Sequence, residues 1–367
     1  MPVLAALAWL ACITALAVLY RAQLSSPARV RGGRDDLRSI VVPCVVSAVV
    51  WVAVSVGVTG PTASPLRWPV AALAALAGLL IVVGARGLSA SKPGMALYGG
   101  LWSALVFSPA AILVFYPATF GVSIAAGVWD LGGALPVHVA AGAAALALQR
   151  RQRRAGERPL GESPRAITTL VALAVLWVCW LTALVGMDMA IDRATPTIVL
   201  NGMLVPVASV SGWLIVVRIR RRRTTLANAG GGLVAGLVAA TAVGGSLGAV
   251  WAVALGLVVG VACASGSARS DGLASSGAGL GATHLTAAAI GLVWVGLFGD
   301  GGGFIYTGQF STVQVQIAAA VAVAGWGYGV TVALSPMLRR RFSRGDIRHT
   351  SPDAPAQGTF GGQTPPR

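Results

Sequence analysis

Residues 131–146 read LGGALPVHVAAGAAAL and residues 277–292 read GAGLGATHLTAAAIGL. Aligned on His138 and His284, the two stretches also share Gly133/Gly279, Ala141/Ala287, Ala143/Ala289 and Leu146/Leu292. Matches among Ala and Gly carry little weight in a chain so rich in small residues. The histidines carry more, because an ionisable side chain inside an apolar stretch is costly and usually faces a protein interior or a polar pathway. The plain alternative is two unrelated core histidines, each bonded to a neighbouring carbonyl. Their equivalent placement in two like stretches favours the pathway.

The 367-residue chain is 56% apolar and only 10% charged, with a mean hydropathy of +0.78. No soluble globule distributes its residues in that way. Residues 1–20, 39–66, 68–85, 93–129, 131–149, 166–187, 194–217, 224–268, 272–299 and 301–338 contain no Lys, Arg, Asp or Glu. Each is long enough to cross a bilayer, which takes roughly 20 apolar residues. Splitting 224–268 at the turn GGSLG (244–248) gives eleven predicted helices: 2–20, 39–59, 68–86, 95–118, 130–149, 166–188, 196–219, 225–243, 247–266, 276–298 and 312–338. His138 then falls in the fifth and His284 in the tenth. A repeat of five spans is odd-numbered, so its second copy inserts upside down, and such inverted repeats place a substrate pathway at their interface. The expected fold is therefore an all-α polytopic membrane protein with eleven transmembrane helices, a 5+5 inverted repeat plus a C-terminal helix.

The net charge of +16 suggests nucleic acid or anionic lipid until the basic residues are placed. In the eleven-span map 25 of the 27 fall in loops on one side, and only Arg67 and Arg193 on the other. The positive-inside rule then puts the N-terminus outside and the C-terminus inside a cell membrane, and the topology bias accounts for the charge without nucleic acid. Residues 1–338 form the expected membrane domain. Residues 339–367, basic and then rich in Pro and Gly, read as a disordered cytoplasmic tail that includes His349.

Cys12, Cys44, Cys179 and Cys263 all lie in apolar spans with no metal-ligand spacing, and read as small buried hydrophobes. No cofactor or metal is expected. The first span is expected to be retained, since its basic cluster follows it rather than precedes it. Gly231 to Gly236 contains a small-xxx-small pattern, read as close helix packing within one subunit.

Two imidazoles in contact can share one N–H between facing nitrogens and keep an outer edge for a passing donor or acceptor. Such a pair suits a small hydrogen-bonding molecule or a proton. Asp130, at the start of the fifth span, is placed to cap exposed N–H groups and to lend negative potential near the outer mouth.

At these residues the chain resembles the ammonium transporter/methylammonium permease family (Amt/Mep/Rh). DLGGALPVHVAAG at 130–142 is similar to the family's D-[FL]-A-G-G-x-x-V-H-x-x-A-G. GATH at 281–284, followed by Gly291 and by GLF at 296–298, is similar to F-G-x-H-G-x-x-G-x-x-G-x-x-x-G-[LI]-F. LWVCW at 176–180 is similar to L-W-x-G-W, residues 228–238 to the glycine-rich eighth helix, and Gln316 and Trp326 to the eleventh. The resemblance implies a homotrimer in the lipid bilayer with one ammonium-transporting pore per subunit, His138 and His284 as its paired histidines, Asp130 supporting recruitment or deprotonation, and Trp180 as a structural or pore-wall aromatic.

Several departures from the pattern sit at the outer site. The family's L-W-x-G-W-F-G-F-N-A-G-S becomes LWVCWLTALVGM at 176–187, so Ala183 stands at the position of an inner gating Phe and Met187 at that of the vestibule Ser. Ala118 stands where the vestibule Trp belongs and Ala74 where the outer gating Phe belongs; Phe115, Phe120 and Trp129 are candidate replacements. The Glu of the A-E-R motif is missing from VGARGLS at 83–89. The tail segment that supports regulation by PII-type signalling proteins is only faintly echoed at 345–349, which weakens the expectation of that partner. Three readings follow: a channel or transporter for ammonium or ammonia, a non-transporting sensor or structural paralogue, and a pore for another small neutral molecule. The histidines favour the first or third; the altered outer site favours the second or third. No nucleophile motif, phosphate loop or metal spacing points to an enzyme.

Overall fold

The computed structural model describes residues 1–20, 33–60, 64–85, 88, 92–120, 127–155, 165–220, 222–267 and 277–338. The tail 339–367 and the loop 156–164 lie outside them. The described residues form eleven helical segments: α1 Pro2–Leu19, α2 Gly33–Thr59, α3 Arg67–Gly84, α4 (92–115), α5 (134–155), α6 Ala166–Met187, α7 Thr195–Ile219, α8 Leu226–Val243, α9 Ala249–Gly266, α10 (277–298) and α11 Ser311–Leu334. A one-turn helix, Phe304–Thr307, interrupts the glycine-rich loop before α11. Among the described residues, nine helices are long and apolar enough to cross a membrane, with Thr283–Phe298 a shorter apolar one.

Helix pairing follows the inverted repeat. α2 lies on α3 and α4 as α7 lies on α8 and α9; α3 meets α1 and α5 as α8 meets α6 and α10. The two halves join through like elements, α1 on α6 and α5 on α10. α3 and α8, the equivalent third helices, are the most enclosed of the long apolar helices. Their sequences fit that place, being largely Ala, Gly, Leu and Val, which let neighbouring backbones approach in lipid. The glycines of α8 face α7 of the same chain: a Cβ on Gly232 would stand 2.8 Å from Val210 Cα, and one on Gly231 2.8 Å from the Trp213 ring. The small-residue pattern there serves packing inside one subunit.

Among the described residues, three helices change pitch. π turns occupy Ser103–Phe107 in α4, Ala134–Val139 in α5 and Gly281–Leu285 in α10. Two of them carry the histidines, in line with the tendency of such turns to occur at functional sites.

The expected start of the fifth helix at residue 130 is corrected to 134. Gly133 adopts a left-handed conformation (φ 80°), which breaks the helix and leaves Asp130 in the preceding loop. α2 starts at 33 rather than 39 and α5 ends at 155 rather than 149. Both run on into charged sequence, because a helix needs no apolar residues once it leaves the bilayer.

Candidate functional site

α5 and α10 cross where neither can carry a side chain. A Cβ on Gly142 would stand 2.6 Å from Leu285 N, and one on Gly281 2.5 Å from Leu146 Cδ2. This contact brings His138 and His284 together at the centre of the bundle. Both are fully buried, with their Nδ1 atoms 3.1 Å apart and ring centroids 5.1 Å apart. One Nδ1 must then donate its proton and the other accept it.

The outer edges of the two rings differ. His284 Nε2 lies 3.3 Å from the hydroxyl of Tyr20, the residue that ends α1. His138 Nε2 is buried and has no hydrogen-bond partner. If His284 donates across the pair, its Nε2 accepts from Tyr20 and His138 presents an unpaired N–H. If His138 donates, its Nε2 presents a lone pair instead. Either way one buried nitrogen is left unsatisfied, a situation that costs about 1–3 kcal/mol.

Trp180 of α6 holds the His138 ring by stacking on it, centroids 5.6 Å apart and planes inclined by 16°. Its own indole is fixed twice. Trp180 Nε1 donates to Thr241 Oγ1 of α8 at 2.9 Å, and Trp9 of α1 meets its edge at 5.2 Å. Thr241 in turn donates to the Leu237 carbonyl at 2.9 Å.

Asp130 acts as the predicted cap, though from outside the helix. Its Oδ1 accepts from Ala134 N–H and its Oδ2 from Leu135 N–H, each at 2.7 Å. Both oxygens are thereby committed to the first turn of α5, and neither is bonded to a histidine. The loop is locked further by Gly132 N–H donating to the Thr241 carbonyl at 3.0 Å.

Ala74, Ala183 and Met187 are buried. Of the replacement aromatics, Phe115 comes to the start of α5, its Cζ 3.1 Å from where a Gly133 Cβ would stand. Trp129 is turned instead against Gly299 and Gly302, and its carbonyl accepts from Gln316 Nε2 at 2.8 Å. The side chains of Ala118 and Phe120 lie outside the described residues. Trp326 is exposed on the bundle surface, donating to the Leu105 carbonyl.

Sequence reasoning missed Tyr20, Trp9 and Thr241. Tyr20 is the one aromatic hydroxyl in the first span, which is the only signal it gave.

The family model described as Ammonium Transporter Family matches residues 46–343. An ammonium transporter of Mycobacterium bovis is 27% identical over 266 residues, covering 66% of this chain and 55% of its own length. Ammonium transporter Amt1 of Archaeoglobus fulgidus is 31% identical over 176 residues, covering 46% of this chain and 42% of its own. The chain thus spans about half the length of the curated relatives it matches. The crystal structure of Saccharomyces cerevisiae Mep2 shares the fold, with a TM-score of 0.76 at 19% identity over 92% of this chain and 88% of that one. With the family match covering most of its length, an inverted repeat of membrane-length helices and a histidine pair where its halves meet, the chain belongs to the Ammonium Transporter Family.

Proposed function

We propose that this chain forms a membrane pathway for ammonium or ammonia, lined at its narrowest contact by His138 and His284. The observation that carries the reading is the unpaired, buried His138 Nε2 beside a histidine pair whose other end is tied to Tyr20. Family membership and the printed names of the curated relatives, ammonium transporters, point the same way.

A small molecule with both a lone pair and N–H groups satisfies His138 Nε2 in either tautomer. Ammonia is such a molecule. In the proposed sequence ammonium at the outer mouth leaves its proton to the water there, neutral ammonia passes along the imidazole edges by bonding His138 Nε2, and water on the far side protonates it again. Trp180 keeps the His138 ring in register. Asp130 supports recruitment through its potential and by holding the first turn of α5, without touching the solute. With Ala74, Ala183 and Met187 at positions of the family's outer site, recruitment is weak, and flux follows ammonia concentration.

The test is uptake of ammonium or methylammonium by liposomes containing the purified chain, with current recorded in parallel. The reading expects flux that rises with pH at fixed total ammonium and saturates weakly. Flux no greater than in empty liposomes would sink it and favour a sensor.

The basic loops support an outside N-terminus and an inside C-terminus in the cell membrane. A homotrimer is the proposed assembly, so the detergent-solubilised protein should have about three times the 37.0 kDa of the chain by light scattering. A stable monomer would remove it.

A further inference from the structure

Indole hydrogen bonds join α4 to α11 in both directions. Trp102 Nε1 of α4 donates to Thr331 Oγ1 at 3.0 Å, and Trp326 Nε1 of α11 donates to the Leu105 carbonyl at 2.6 Å. Trp326 and Leu105 are exposed on the bundle surface, near the middle of the spans Ser311–Leu338 and Pro93–Phe115. A tryptophan that faces lipid usually sits at the membrane–water interface, where its N–H finds water. At mid-depth that N–H needs a protein acceptor, and a backbone carbonyl there equally needs a donor.

The sequence of α4 explains why this carbonyl is the partner. In a regular helix the donor to Leu105 is the N–H four residues on, and that residue is Pro109, which has none. A proline ring also presses on the carbonyl four residues back, again that of Leu105. The π turn Ser103–Phe107 widens the backbone at that point. Trp326 supplies the missing donor from the neighbouring helix.

The turn pinned in this way lies against the helix of His138. Trp102 holds its entry, and Ser103 Oγ donates to the Ser47 carbonyl of α2 at 3.1 Å. α11, the α4 π turn and the α5 π turn all touch one another. Beside Trp326, a Cβ on Gly327 would stand 3.1 Å from the Ala140 carbonyl oxygen and 3.4 Å from Val106 Cγ1. Ala140 directly follows the π turn Ala134–Val139, two residues after His138. The α11 backbone thus bears on both turns at one level.

We infer that Trp326 is a positioning residue: by bonding the carbonyl that Pro109 leaves without its helical donor, it fixes the α4 turn against the α5 turn and so sets the place of His138 opposite His284. Its effect on flux rests on the proposed pathway, while its effect on the histidines does not.

The test uses full-length protein carrying isotope-labelled histidine in lipid bilayers. Solid-state NMR reads the Nδ1 signals of His138 and His284, and ammonium and methylammonium flux is measured in parallel. Trp326→Phe keeps an aromatic ring and removes the donor. It should shift the balance between paired and separated histidines about tenfold, the size of one hydrogen bond. It should also change the ratio of methylammonium to ammonium flux, which a mere loss of folded protein leaves unaltered. Adding Pro109→Ala to Trp326→Phe returns a backbone N–H to Leu105 and should recover most of the native histidine signals. Native signals in Trp326→Phe overturn the inference, as does a double variant no better than the single one. If Trp326→Phe does not fold, the double variant decides: native histidine signals uphold the inference, and a second failure to fold overturns it. A wild type without flux counts against the proposed pathway alone, because the histidine signals still judge the role of Trp326.

Discussion

At the scale of single residues, the histidine pair and the Asp130 cap make separable predictions. His138→Ala and His284→Ala each open a bond that spans 3.1 Å and leave the partner imidazole buried without its donor or acceptor. Each should abolish liposome flux or change its selectivity while the protein still assembles, as size-exclusion chromatography would show. Unchanged flux in both would assign the histidines to structure. Asp130→Ala strands the N–H groups of Ala134 and Leu135, which lose acceptors at 2.7 Å. It should lower stability by about 1–3 kcal/mol. Asp130→Asn keeps one carbonyl oxygen and should fall between the two. Thermal unfolding in detergent checks the order, and an Asn variant no better than Ala would remove the cap as the cause.

At the scale of elements, the close crossing of α5 and α10 is the feature on which the site depends. Gly142→Ala places a methyl 2.6 Å from the Leu285 backbone nitrogen, which cannot yield as a flexible side chain would. Overpacking of this kind costs about 1–3 kcal/mol, and here it also forces the two histidines apart. Flux should fall with stability. Gly325→Ala on α11 meets nothing within 4 Å and should change neither, which makes it the control. Most elements were legible in the sequence, because charge-free stretches of membrane length mark the part of each helix inside the bilayer. What those stretches hide is where a helix continues into water, as α2 and α5 do, and where its pitch changes. The π turns at 134–139 and 281–285 add a residue to a turn in uniformly small, apolar sequence, so no periodicity betrays them. Both histidines were legible because ionisable groups are rare in apolar spans. Tyr20, Trp9 and Thr241 were not, since each is unremarkable in its own sequence and joins the site only through tertiary contact, Tyr20 and Trp9 across the two halves and Thr241 through its bond to Trp180 within the second.

At the scale of the whole molecule, the distribution of basic residues makes a prediction that depends on no side-chain geometry. With 25 of 27 on one side, the loop between α5 and α6 should face the cytoplasm, and the turn at Asp188 to Arg193 should face outward. Single cysteines placed in each can be probed in intact cells with an impermeant thiol reagent, in a background lacking Cys12, Cys44, Cys179 and Cys263. Labelling in the α5–α6 loop would reverse the map.

The same scale holds a contrast between frame and content. The two halves are antiparallel copies, yet the hydrogen-bonded line through them has unlike ends: a tyrosine hydroxyl on His284 and nothing on His138. A passage built this way is polarised, as a line of dipoles is, and the two directions of travel meet different first contacts. Polarity of this sort sets no destination. Without an energy source coupled to it, an asymmetric conduit changes how fast equilibrium is reached from each side but not where it lies. The line from Tyr20 to His138 therefore predisposes the proposed pathway to unequal rates under opposite gradients only at solute concentrations that saturate it, with one and the same point of zero net flow.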